Sequence, residues 1–172
     1  MLETPNLFYT STKWYNKEEP LVYLGGTTAV VDSPMDSKWQ DKAAEYLFKH
    51  KPDLNICDPR PHKKTPMTDE EKHIQAEYEI SHIRLASHYG GLLFWFDGSE
   101  NVNARDVFQF VEYYTHYKHL KKQDRILKIA LGLDDNFPDR EYFIHRVFND
   151  TPEFVIATTL DETCQVLLDK LK

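Results

Sequence analysis

Cysteine is scarce in this chain. Cys57 and Cys164 are the only two, far apart in sequence and outside any metal-ligand pair. That excludes a disulfide framework or a zinc ribbon. It reads as two reduced thiols, and we expect a cytoplasmic protein. No apolar run is long enough to cross a bilayer, so no membrane partner is expected. The opening MLETPNLFYT lacks a basic-then-apolar pattern and predicts no secretory leader. An excess of positive charge is missing too: 28 acidic residues face 21 basic ones, a formal charge of −7. The one basic cluster, Lys118, His119, Lys121, Lys122 and Arg125, sits where a helix should end and complements its dipole. With no other basic stripe, duplex nucleic acid is not an expected partner, and a small ligand is.

Several motifs are absent as well. No Gly-Lys-Ser/Thr follows a glycine-rich turn, and GxGxxG does not occur. There is no GxSxG elbow and no context for a nucleophilic cysteine. His116 and His119 lie close to Glu112, but HxxxH is missing and the helix face reads as solvated, so no metal is expected. Repeats and low-complexity segments are also lacking.

What is present suffices for one core: apolar residues make up 41% and aromatics 13% of 172 residues. Residues 1–19 read as a polar, aromatic arm, and residues 20–172 as a single domain. Within the domain, strand and helix signals alternate. Strands are predicted at Leu21–Leu24, Leu54–Cys57, Leu92–Phe96, Ile126–Leu131 and Phe154–Ala157. Helices are predicted at Lys38–Lys49, Thr68–His88, Asp106–Leu120, Arg140–Val147 and Asp161–Leu171. Thr68 and Glu71 form a capping-box signature, and Gly90-Gly91 marks the far end of that helix. Alternation of this kind implies parallel pairing. Right-handed crossovers then predict an α/β, flavodoxin-like (Rossmann-like) three-layer sandwich with a five-stranded parallel sheet in the order 2-1-3-4-5.

In such sheets a ligand binds beyond the carboxyl ends of the strands, at the switch point between the first and third. The segments there are Gly25-Gly26-Thr27-Thr28, Asp58-Pro59-Arg60, Asp97-Gly98-Ser99-Glu100-Asn101 and Gly132-Leu133-Asp134-Asp135-Asn136. Small, acidic and hydroxyl-bearing residues collect on one rim. The glycines let backbone approach a ligand, or form an ordinary turn. Trp39 stacks on a base, or belongs to the core. Asp97, beside Gly98, accepts sugar hydroxyls or assists a proton transfer. Gln75 and Glu79 share a helix face with His82 nearby, while Glu77 turns away with His73.

These pieces fall in an order. Leu24-Gly25-Gly26-Thr27-Thr28 precedes Trp39-Gln40, then Asp58-Pro59-Arg60, then Gln75-Ala76-Glu77-Tyr78-Glu79, then Phe94-Trp95-Phe96. On these motifs the first 97 residues resemble the nucleoside 2-deoxyribosyltransferase-like proteins. The resemblance implies cleavage or exchange of the N-glycosidic bond of a (deoxy)nucleoside: a glutamate attacks C1′, and the sugar passes to another base or to water. No metal or redox cofactor is implied. The partners implied are a nucleoside or nucleotide, a free base and further copies of the chain. The family's glutamate slot falls in Asn103–Tyr114, NARDVFQFVEYY. One alignment places Glu112 there, roughly 9 Å along a helix capped at Asp106. The other places Gln109 there, which forms no covalent intermediate. The candidate site is therefore Glu112 and Asp97 for the chemistry. Gly25, Gly26, Thr27, Trp39, Asp58, Arg60, Gln75, Glu79, Asn101 and Gln109 are the candidates for binding. Two alternatives share this site: an N-glycoside hydrolase on nucleosides or nucleotides, and a silent nucleotide-binding protein.

Overall fold

A computed structural model describes residues 7–10, 20–27, 39–61, 68–98, 104–123, 125–138 and 140–172. Its elements in chain order are β1 (Leu7–Thr10), β2 (Leu21–Gly26), α1 (Trp39–His50), β3 (Asn55–Pro61), α2 (Asp69–Tyr89) and β4 (Gly91–Phe96). They continue with α3 (Ala104–Lys121), β5 (Ile129–Leu133), α4 (Arg140–Asp150), β6 (Ile156–Ala157) and α5 (Leu160–Lys170). All pairings are parallel, and the sheet order is β1-β3-β2-β4-β5-β6. Strands β2 to β6 thus stand in the order expected, 2-1-3-4-5.

The sixth strand is a departure from the sequence reading. Within the stretch read as an arm, Leu7–Thr10 lies parallel to β3, with Leu7 opposite Ile56 and Phe8 opposite Cys57. Four residues are too short a run for the alternation of a strand to stand out. Further along the chain, β5 starts three residues later than expected: Ile126 is exposed and the buried ladder begins at Ile129. β6 is cut to two residues, with exposed Val155 outside it.

The core follows from the pleat, because successive strand residues face opposite sides of the sheet. Leu21 and Tyr23 of β2, Leu92, Phe94 and Phe96 of β4, and Ile129, Leu131 and Leu133 of β5 face one side. There they meet Ile83 and Ala86 of α2, Phe110, Tyr113 and Tyr114 of α3, and Val147 of α4. Val22, Leu24, Leu93, Trp95 and Ala130 face the other side, against α1 and α5. Two apolar layers around one buried parallel sheet make the three-layer sandwich, and explain strands that read as continuous apolar runs. Each fully buried Leu, Ile or Phe contributes about 1.5–3 kcal/mol relative to exposure.

Helix α2 opens as its sequence indicates: the Thr68 hydroxyl accepts from the Glu71 amide, and the Glu71 carboxylate accepts from the Thr68 amide. Its inner face also carries a group with a pH consequence. His82 is 1% exposed, stacks on Tyr78 at 3.7 Å between centroids, and hydrogen-bonds through Nδ1 to the Tyr78 carbonyl at 2.8 Å. Its Nε2 is buried without a hydrogen-bond partner. A proton there would place an uncompensated charge in the interior, so burial holds the imidazole below its ordinary value of 6.5. The unfolded chain takes that proton near 6.5 and the folded chain only at lower pH, so this contribution is complete above 6.5 and is lost as pH falls. Denaturant titrations at pH 7 and pH 5 are expected to show a loss of stability that His82→Phe, which keeps a ring on Tyr78, reduces.

Candidate functional site

The carboxyl end of the sheet is built around the last residues of β2. Gly26 has φ +123° and pairs with Trp95 of β4. A Cβ at Gly26 would lie 1.9 Å from the Trp95 carbonyl oxygen, so only glycine allows the two backbones to approach this closely. The next residue stitches the junction together. The Thr27 amide donates to the Trp95 carbonyl (3.0 Å), and the Thr27 hydroxyl accepts from the Asp97 amide (3.1 Å). The loops after the first and third expected strands therefore meet, as the sequence requires of a switch-point site.

Trp39 closes the junction from the other side as a core residue, one of the two fates the sequence left open. Its indole Nε1 donates to the Thr27 carbonyl at 2.8 Å, and its ring is buried with Leu24, Leu93 and Trp95. At 6% exposure it offers no face for stacking a base. Thr27, 1% exposed, likewise acts as a latch. Gln40 reaches the same carbonyl at 3.5 Å.

At the end of β3, Asp58 is buried and accepts from the Arg60 amide (3.0 Å), Nε (2.9 Å) and Nη2 (2.5 Å). The same Nη2 reaches Asp41, in the first turn of α1, at 2.5 Å. Arg60 is thus held between two carboxylates. Asp58 and Arg60 tie β3 to α1.

The centre of the site comes from α2 and α3. Gln75 and Glu79, one turn apart, are both buried. Gln75 Nε2 donates to the Pro59 carbonyl and to Glu79 Oε1, each at 2.8 Å. From α3, Gln109 Nε2 approaches Glu79 Oε2 at 3.4 Å. Arg105 Nη1 lies 3.8 Å from Glu79 Oε1, and its Nε 3.5 Å from buried Asp106. Burial pushes the Glu79 carboxyl above its ordinary value, against the pull of Arg105 and Gln75, and Asp106 adds to the rise. Tyr23 is fully buried beside Glu79 and Gln109, and its hydroxyl makes no well-formed hydrogen bond. Burial pushes that hydroxyl well above 10, so it stays neutral.

Glu112 does not join this cluster. It is exposed and lines a groove with Arg84, Ser87, His88, Tyr113, His116 and His119. The inward stripe of α3 is Asp106, Phe110, Tyr113 and Tyr114, and Glu112 lies roughly 200° round from Phe110. The helix also starts at Ala104, with Asp106 inside its first turn rather than capping it, so Glu112 sits still further from the sheet edge. Gln109, on the flank of the stripe, is the α3 residue that meets Glu79.

The remaining candidates divide in the same way. Gly25 is buried opposite Phe94. Asp97 is half-buried directly after β4, and Gly98 packs on Asp134 and Asn136. Asn101 lies outside the described residues. Sequence reasoning missed Tyr23, Arg105 and Asp106. A phenol in an otherwise aliphatic strand was the signal for Tyr23; Asp106 had the look of a cap. Among the described residues no group of three or more His, Cys, Asp or Glu is arranged to hold a metal ion. Nor, among them, is any helix long and apolar enough to cross a membrane.

Fold and cluster together define a doubly wound α/β protein with a buried, amide-clasped glutamate at the carboxyl end of its sheet. No protein-family model matches the chain, and no curated protein matches it significantly.

Proposed function

We propose that this chain binds a nucleoside or nucleotide at the carboxyl ends of β2, β3 and β4, and cleaves or exchanges its N-glycosidic bond. Glu79, in place of Glu112, is the reactive carboxyl group. The observation that carries this reading is the burial of Glu79 between Gln75, Gln109 and Arg105, at the end of the sheet where Gly26 and Asp97 meet. A carboxyl group whose proton is held by burial suits a general acid. Glu79 passes its proton to the leaving base as the C1′–N bond breaks, and the base departs neutral. The sugar is left cation-like, and the half-buried Asp97 supplies negative charge near it. Water, or the nitrogen of a second base, adds at C1′ and gives its proton to the Glu79 carboxylate, which restores the acid. A (deoxy)nucleoside incubated with the protein is expected to release its base, and to yield a new nucleoside when a second free base is present. Absence of both products counts against the reading.

Binding without turnover is the second reading, and a specific feature favours it. The α3 residue beside Glu79 is an amide, Gln109, and the only nearby glutamate of that helix, Glu112, faces solvent. A ligand-dependent rise in Tm with no base released identifies this case.

A further inference from the structure

We propose that Asp106 is a positioning residue: it holds the Arg105 guanidinium away from Glu79, so that Glu79 meets its ligand as an acid. This rests on the reading of Glu79 as proton donor given above and specifies how that group is controlled.

An arginine and a carboxylic acid are in conflict when they stand side by side. A guanidinium in full contact with a carboxyl group favours its ionised form and strips the proton. A proton donor beside an arginine therefore needs the arginine restrained. Arg105 Nη1 stops 3.8 Å from Glu79 Oε1, beyond hydrogen-bonding distance, while its Nε lies closer to Asp106 Oδ1, at 3.5 Å. Asp106 is buried in the first turn of α3, next to Arg105 in the chain, and gives the half-exposed guanidinium a fixed anchor. The two oxygens of Glu79 differ in the same sense. Oε1 accepts from Gln75 Nε2 at 2.8 Å and faces Arg105. Oε2 has Gln109 Nε2 at 3.4 Å, a weak contact that leaves this oxygen to carry the proton.

The other titratable groups around Glu79 bring no charge. Tyr23 of β2 and Cys57 of β3 are fully buried, and burial pushes both well above their ordinary values, so both stay neutral. His82, one turn along α2, is held neutral at pH 7 by its own burial. Arg105 and Asp106 are thus the charged pair that acts on Glu79. Burial opposes its ionisation, Arg105 favours it, and Asp106 opposes it again. Asp106 offsets Arg105 twice, through its own negative charge and by drawing the guanidinium to itself, and burial prevails.

Titration of the Glu79 carboxyl by carbon NMR tests this with no ligand present, its signal being the one that Glu79→Gln removes. The midpoint is expected to move to lower pH in Asp106→Asn and to higher pH in Arg105→Gln. In the Arg105→Gln background the effect of Asp106→Asn is expected to shrink by about half or more, as for two residues acting through one contact. Base release at pH 7 is expected to fall at least about tenfold in Asp106→Asn, the smallest effect usual for an arginine set against a carboxyl group, and to recover in the double variant. A midpoint unmoved by Asp106→Asn, or moved equally with and without Arg105, overturns the proposal. If Asp106→Asn does not fold, Arg105→Gln, at a half-exposed position, decides alone: a midpoint that does not rise overturns it too. If the parent protein releases no base, the proton-donor reading fails, while the titration still shows whether Asp106 restrains Arg105.

Discussion

Glu79→Gln is expected to lower base release by about 10²–10⁴-fold, the usual contribution of a positioned acid or base, while the protein stays folded. The substitution keeps shape and removes only the ionisable proton. Its carbonyl oxygen can still accept from Gln75 Nε2, now 2.8 Å from Glu79, and the Gln109 amide can turn to present its oxygen to the new NH₂ group. Arg105 loses a partner at 3.8 Å but keeps Asp106. Burial favours the neutral form of Glu79, so a neutral amide adds no buried charge and Tm is expected to stay level. The pH dependence has a definite sign. In the proposed reaction the active form is protonated, so base release should fall as pH rises through the elevated folded value of Glu79. Glu112→Gln, on the exposed side of α3, is the matched control and should leave turnover unchanged. If Glu79→Gln turns over like the parent, Glu79 is not the proton donor.

Gly26→Ala is expected to destabilise the fold by about 4 kcal/mol or more, the range reserved for severe local conflicts. Two effects act together. The φ of +123° is one that residues with a Cβ rarely adopt, and the new Cβ would sit 1.9 Å from the Trp95 carbonyl oxygen. That oxygen belongs to the central strand β4 and accepts from the Thr27 amide, so it cannot yield without opening the β2–β4 junction. Gly25→Ala makes the contrast. Its Cβ would meet the Phe94 ring at 2.5 Å, a side chain that can shift, and a smaller loss is expected. Denaturant unfolding of the two variants side by side checks the ranking. A Gly26→Ala protein as stable as Gly25→Ala would show that the β2–β4 contact is not close-packed as described.

Much of the fold was legible because it rests on local patterns. Apolar strands bounded by turns, a capping box at Thr68, and strict alternation of strand and helix are enough to call for a parallel sheet with helices on both faces. The strand order then follows from the handedness of crossovers. What escaped were elements whose evidence is not local. Leu7–Thr10 is a strand because β3 offers it an open edge, and the limits of β5 and β6 depend on where their neighbours end.

The site divides along the same line. Gly26, Asp97, Gln75 and Glu79 could be singled out as candidates, since turn glycines, post-strand acids and residues four apart on a helix are positional signals. Trp39 was ambiguous in the sequence because an indole packs and stacks equally well, and its 2.8 Å bond to Thr27 places it in the core. Glu112 and Gln109 differ by three residues on one helix, and no motif says which is turned inward. That depends on the phase of α3, which Phe110, Tyr113 and Tyr114 set by packing on β4 and its neighbours.

The chain's own order of residues thus determined the layers, the sheet order and the edge where chemistry can gather, because periodicity and turn chemistry are properties of short segments. Which glutamate lies in the interior, which arginines are already neutralised and which tryptophan is structural were decided by tertiary packing. Burial and ion pairing arise only when segments distant in sequence are brought together.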